Sequence, residues 1–297
     1  MFSGSMVAIV TPMTVDGALD WPAWDRLLDF HMGEGTDGIV VAGTTGESPV
    51  LSLPEIAELT RRAVTRCRGK MKVMVGAGTN STATTVQRTR ELSKLGVDAV
   101  MLVTPYYNKP PQEGLYRHFL AAADASDAPI ILYNVPKRTA VDLLPATVVR
   151  LASHPKIVAV KEANADLSRA RELLATLPQG FSVLSGDDAT AMDFMAVGAR
   201  GVISVTGNVA PRRLHEACLA ALRGDMATAR AIDADLQLLH RDLFIEASPI
   251  PVKWAVARMG LIGNAIRLPL VELAPVHQET VARAMRAAGV TLEDQAA

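Results

Sequence analysis

Lys161 is the residue in this 297-residue chain best placed to do chemistry. It follows the apolar, β-branched run Ile157-Val158-Ala159-Val160, and its parity with Ile157 and Ala159 sends its side chain to the same strand face as theirs. Of the eight lysines it alone sits near the end of such a strand; the others fall on loops, helices or strand starts. Burial disfavours the charged form of an amine, which leaves part of it neutral and able to attack a carbonyl as a Schiff-base nucleophile. The alternative is a structural ion pair with Glu162, Asp187 or Asp188. Lys253, in Pro249-Ile250-Pro251-Val252-Lys253-Trp254-Ala255, also has apolar neighbours. It reads as a helical lysine whose stem lies on the core while its head reaches water.

Schiff-base chemistry needs a proton carrier, and none of the six histidines falls at the end of an apolar run. Tyr133, which closes the preceding run, is the remaining candidate; the alternative is a buried aromatic with a satisfied hydroxyl. Gly43-Thr44-Thr45-Gly46 offers a tight turn with backbone N–H groups and two hydroxyls suited to a small carboxylate, although a plain turn has the same composition. Arg138, two residues beyond Pro136, could bind a second carboxylate through its planar fork, or could simply be solvated. Asp187 and Asp188 follow the seventh run, where many barrels bind phosphate, and two carboxylates there disfavour a phosphorylated substrate. Three of the four tyrosines, Tyr106, Tyr107 and Tyr133, lie at the ends of these runs.

The elements that must position these groups are eight. Apolar, β-branched runs at 7–12, 38–46, 72–78, 99–107, 129–136, 157–163, 181–187 and 201–208 each end in Gly, Pro, Thr, Asn or similar punctuation, at about one βαβ period apart. Between them lie helical periodicities. One opens at Leu53 with Ser52 as N-cap and Pro54 in the first turn; another covers 82–95 and closes at Gly96. Eight strand–helix repeats predict an α/β fold, parallel strands closing into a (β/α)8, or TIM, barrel with its site at the strand C-terminal ends. A doubly wound open sheet would need a glycine-rich phosphate loop after the first strand, and Val10-Thr11-Pro12-Met13 has none. After residue 209 the strand signal gives way to helical stretches at 211–223, 225–243, 250–259 and 276–288. The expected organisation is therefore a catalytic barrel, 1–224, and a C-terminal helical extension, 225–297, packed on it.

Composition narrows the partners. Hydrophobic residues make up 49% and aromatics only 4%, the profile of a globular protein with an aliphatic core. A net charge of −1 with scattered charges argues against nucleic acid and anionic membranes. The absence of a basic leader and of an apolar run near 18 residues predicts a cytoplasmic protein with no membrane span. Cys67 and Cys218, far apart, read as reduced structural thiols. The histidines make no HExxH, no close pair and no Cys/His cluster, so no metal site is visible.

Five motifs in order carry a resemblance: Gly-Thr-Thr-Gly-Glu at 43–47, Thr-Pro-Tyr-Tyr-Asn at 104–108, Tyr-Asn-Val-Pro-Lys-Arg-Thr at 133–139, Val-Lys-Glu-Ala at 160–163 and Ser-Gly-Asp-Asp at 185–188. With Gly-Val-Ile-Ser-Val-Thr at 201–206 and Pro-Ile-Pro-Val-Lys-Trp-Ala at 249–255, the pattern closely resembles the dihydrodipicolinate synthase and N-acetylneuraminate lyase family of pyruvate-dependent class I aldolases. The resemblance implies condensation of pyruvate with L-aspartate 4-semialdehyde on the diaminopimelate route to lysine. It makes Lys161 the imine-forming residue and Tyr133 the proton relay, completed by Thr44 and by Tyr107 from a neighbouring subunit of a homotetramer. It places Thr45 on the pyruvate carboxylate, Arg138 on the semialdehyde carboxylate, and Gly186 and the Ile203 carbonyl beside the lysine. No organic cofactor or metal is implied, because the lysine supplies the electron sink.

Two departures stand out. Feedback-inhibited members of the family carry histidine and glutamate where this chain has Leu53 and Thr84, although Ser48, Asn80 and Tyr106 match; weak or absent inhibition by L-lysine is expected. Ser248 replaces a common asparagine, with no mechanistic consequence attached. The rival readings are another aldolase of the family, acting on a sugar acid or on 4-hydroxy-2-oxoglutarate, and a non-catalytic binding barrel.

Overall fold

In a computed structural model, which describes residues 1–293, the eight runs become eight parallel strands. They are β1 (Gly4–Ala8), β2 (Gly38–Val41), β3 (Lys72–Gly76), β4 (Ala99–Val103), β5 (Ile130–Asn134), β6 (Ile157–Glu162), β7 (Ser182–Ser185) and β8 (Gly201–Ser204). They pair in chain order, and β1 pairs with β8 to close the barrel. The last four residues of the expected C-terminal extension, 294–297, lie outside the described residues.

The first strand begins at Gly4, earlier than the expected 7–12. A Cβ on Gly201 would lie 2.1 Å from the Gly4 carbonyl oxygen, so the seam closes only where two glycine backbones meet. Gly-Ser-Met carries no β-branched signal, and its pairing is dictated by closure rather than by propensity. Residues 9–12 run on past the sheet, where Val10 N donates to Asn208 Oδ1 at 3.0 Å. The other strands stop before their apolar runs do, β2, β4 and β8 by four or five residues and the rest by one or two. β2 gives way at Ala42 (φ 50°), and the chain after β4 reaches a left-handed Tyr107 (φ 73°), so Thr44, Thr45 and Tyr107 sit on turns, whereas Tyr133 and Lys161 stay in the ladder.

Alternation fills the barrel with Met6, Val40, Met74, Met101, Ile131, Tyr133, Ala159, Leu184 and Ile203. Val41, Val75, Leu102, Leu132, Val160 and Val183 face the other way, into the layer beneath the helices. Lys161 shares the inner face with Ala159, as its parity requires, but not with Ile157. The register slips between Ile130↔Ile157 and Ile131↔Ala159, and this bulge at Val158 turns Ile157 into the outer layer.

The helices obey their local signals. Ser52 and Glu55 form a reciprocal capping box on the helix Leu53–Cys67. The helix Thr82–Leu92 tightens into a 3-10 turn, Ser93–Leu95, and stops at left-handed Gly96. The stretch expected as one helix at 225–243 is two, Met226–Ala234 and Gln237–Asp242, separated by a tight turn in which Leu236 N donates to the Asp233 carbonyl at 2.9 Å. Buried Leu239, Trp254 and Val281 of the C-terminal part join Trp24, Leu59 and Phe119 of the barrel helices in one apolar core. That shared core brings the helix Gln237–Asp242 over the strand ends.

Candidate active site

At the C-terminal ends of the strands lies a cleft of about 770 Å³. Lys161 and Tyr133 form its floor, because β5 and β6 set them opposite each other in register and both point inward. The Lys161 ammonium lies 4.3 Å from the Tyr133 ring centroid, and only 4% and 5% of the two residues is exposed. Gly186 makes the room: a Cβ there would come within 2.9 Å of Lys161 Cε. The alternative, an ion pair with Glu162, Asp187 or Asp188, does not form. Glu162 points away from the cleft to Arg169, and Asp188 accepts from Ser204 and from the backbone N–H groups of Val205 and Thr206 at 2.9 and 3.0 Å.

The Gly43–Gly46 turn rises beside this floor. Its main chain is braced from within, Gly46 N donating to Gly43 O at 3.1 Å, and from β1's continuation, Thr11 Oγ1 donating to Gly46 O at 2.8 Å. Among the described residues, the backbone N–H groups of Thr44 and Thr45 donate to no backbone carbonyl, and both residues line the cleft. No hydrogen bond among the described residues engages their hydroxyls, the Tyr133 hydroxyl or the Lys161 amine. Polar groups left without a protein partner at the wall of a cleft are groups available to a ligand.

Arg138 stands on the exposed rim, on the short helix Pro136–Thr139, with Nη2 donating to the Ser248 carbonyl at 3.2 Å. It also lines a neighbouring cavity of about 200 Å³, shared with Thr44, Ser48 and Tyr106. Asp187 is committed to its own loop, accepting from Thr190 N at 3.2 Å and Thr190 Oγ1 at 2.8 Å. Two expected residues lie off the cleft wall. Ile203 sits within the barrel interior, and Tyr107 is 87% exposed outside the cleft of its own chain.

Sequence reasoning missed the cover. His240, Phe244, Glu246 and Ser248 come from the C-terminal part, and only the packing of that part places them on the cleft. His240 is hydrogen-bonded to Thr206 Oγ1 at 2.8 Å and to Asp233 Oδ1 at 3.1 Å. Burial works to lower its pKa, but the bond to Asp233 and the charges of Asp188, Asp233 and Asp187 together raise it. Lys253 is a correction. Its head does not reach water: the residue is 1% exposed and its amine is paired with Glu47, the residue that follows the Gly43–Gly46 turn. The apolar stem fitted the surface reading, but the acidic partner 206 positions away carried no local signal.

The model of the dihydrodipicolinate synthetase family matches residues 1–288. The 4-hydroxy-tetrahydrodipicolinate synthase of Methylococcus capsulatus is 55% identical over 290 residues, covering 98% of this chain and all of the relative. That of Laribacter hongkongensis is 53% identical with the same coverage. Among solved structures, the chloride-inhibited dihydrodipicolinate synthase of Acinetobacter baumannii complexed with pyruvate superposes with a TM-score of 0.96 at 45% identity, covering 98% of this chain and 100% of that one. The dihydrodipicolinate synthase of Aquifex aeolicus gives 0.96 at 43% identity over 99% of this chain and 100% of its own.

Proposed function

This chain belongs to the dihydrodipicolinate synthetase family, and from that premise we propose that it condenses pyruvate with L-aspartate 4-semialdehyde through a Schiff base on Lys161. The observation that carries the assignment is a buried, unpartnered lysine over the face of Tyr133 at the floor of an open cleft. The neutral amine attacks the keto carbon of pyruvate. Tyr133 protonates the departing hydroxyl and the carbinolamine loses water to give an iminium. Loss of a methyl proton yields the enamine, whose carbon adds to the aldehyde of the second substrate. The amino group of that substrate then attacks the former keto carbon, frees Lys161 and closes the ring.

Thr45 and the N–H groups of its turn hold the pyruvate carboxylate, and Gly186 with Ile203 shapes the pocket beside the amine. Thr44 relays protons from Tyr133 toward solvent, with Tyr107 of a second copy completing the relay. The exposed, left-handed Tyr107 supports a contact with a second copy, as in the homotetramer proposed. Catalysis resides in the barrel, 1–224, and the cover of the cleft comes from residues 240–248 of the C-terminal part, in a cytoplasmic enzyme whose two buried thiols stay reduced.

Borohydride reduction with pyruvate tests the mechanism: peptide mapping is expected to find a reduced three-carbon adduct on Lys161, and an unmodified lysine would sink it. Arg138 sets the choice of second substrate. Arg138→Ala is expected to weaken aspartate semialdehyde by roughly 2–5 kcal/mol if the carboxylate pair is desolvated, with little effect on aldehydes lacking a carboxylate. Equal losses across an aldehyde panel would refute that role and favour the sugar-acid or 4-hydroxy-2-oxoglutarate reading. With Leu53 and Thr84 in place of ligating groups, L-lysine is a weak inhibitor or none; submillimolar inhibition of the purified enzyme would overturn this.

A further inference from the structure

We infer that a buried polar cluster on the outer side of β5 and β6, built from Asn134, Glu162, Arg169 and Asp142, positions Tyr133, Lys161 and Arg138 for the reaction; this rests on the Schiff-base reading above. One step beyond the Tyr133–Lys161 pair, the register sets Asn134 opposite Glu162. Alternation turns these two away from the cleft floor and toward the helix Leu167–Thr176, which supplies Arg169. Asn134 Nδ2 donates to both Glu162 oxygens at 3.0 and 3.1 Å and to Asp142 Oδ1 at 2.8 Å. Its Oδ1 accepts from Leu143 N at 3.0 Å. Arg169 donates from Nε to Glu162 Oε2 at 2.7 Å, from Nη1 to Asp142 Oδ2 at 3.0 Å, and from Nη2 to the Leu143 carbonyl. Asn164 N donates to Glu162 Oε1 at 3.0 Å.

Asn134 and Glu162 are fully buried and Arg169 is 7% exposed. A well-packed apolar group in place of a buried ion pair is often no less stable, so stability alone gives no reason for this cluster. Direction does. The cluster pins three segments at once: the strand residue after the phenol, the strand residue after the amine, and the Asp142–Leu143 chain that follows the Arg138 helix. The phenol and the amine are each held from behind, by the neighbour that alternation turns to the opposite face, and Arg138 is held through the chain that leaves its helix. Near-attack geometry is sensitive to displacements of about 1 Å, and a misplacement of that size can cost on the order of 10²-fold.

The test compares Glu162→Gln, Arg169→Met and Arg169→Lys with the parent enzyme in kcat, KM, thermal melting, and the rate and stoichiometry of borohydride trapping of pyruvate. Glu162→Gln and Arg169→Met are expected to trap one pyruvate per chain, as the parent does, but at least about tenfold more slowly, with kcat falling in step and KM for pyruvate nearly unchanged. Arg169→Lys keeps the charge without the fork and is expected to recover only part of the rate. A parental trapping rate overturns the inference, as does a rate loss matched by an equal loss of stoichiometry, which marks unfolding alone. Asp142 lies at the partly exposed edge, so Asp142→Asn tests the Arg138 arm in a folded protein. A several-fold rise in KM for the semialdehyde supports that arm and an unchanged KM overturns it. Absence of any adduct on Lys161 in the parent would instead refute the underlying reading.

Discussion

Lys161 and Lys253 are both buried, at 4% and 1% exposure, and both sit in apolar sequence, yet they do opposite things. Lys253 is closed off by Glu47, which also accepts from Arg267 N at 3.2 Å, so the turn carrying Thr44 and Thr45 is tied to the C-terminal helices. Burial pushes the Lys253 ammonium down and Glu47 pulls it back up. Lys161 has no carboxylate partner among the described residues; it has the face of Tyr133, the space left by Gly186, and an open cleft. Burial alone therefore does not make a lysine a nucleophile. A buried amine with a partner is a strut; a buried amine facing a cavity without one is the arrangement on which the proposed Schiff-base role rests.

The largest test of that contrast removes each amine in turn. Lys161→Met is expected to lower kcat/KM by at least about 10⁴-fold, more than 5 kcal/mol of transition-state stabilisation, while leaving the melting temperature little changed or raised. Substantial residual condensation would break the comparison at its reactive end. Lys253→Met is expected to act the other way. It strands Glu47 and costs roughly 3–5 kcal/mol of stability by chemical denaturation, while Lys161 in the folded fraction still traps pyruvate. Wild-type stability in that variant would show that the strut carries nothing.

A smaller effect sharpens the strut side. Arg267, whose backbone serves Glu47, gives its guanidinium to Glu55, and this hydrogen bond, aided by Ser52, lowers the Glu55 carboxyl to about 2. A folded pKa below the ordinary 4.5 means that the carboxylate's contribution is complete above 4.5 and is lost as pH falls from there toward about 2. The difference in melting temperature between the parent and Glu55→Gln is expected to shrink through that window. A difference that stays constant with acidification would place the stabilisation elsewhere.

Much of this was legible because it is local. Ser52 and Pro54 announce a helix start within three residues, Gly96 announces a stop, and alternation along β6 correctly turns Lys161 inward with Ala159. What failed depended on a second chain segment. The bulge that expels Ile157 exists only where β6 meets β5, the early start of β1 only where Gly4 meets Gly201, and the Lys253 partner only after the barrel and the tail have docked.

Eight β-strand runs at one βαβ spacing, a lysine at the end of the sixth, a tyrosine at the end of the fifth and a Gly-Thr-Thr-Gly turn after the second were determined by the sequence itself, because strand period and turn chemistry are properties of neighbours in the chain. Which buried lysine stays unpartnered, and that the C-terminal helices bring His240 and Ser248 over the cleft, only the tertiary structure decided. Pairing and access are set by residues distant in sequence, and nothing local to Lys161 or Lys253 records them.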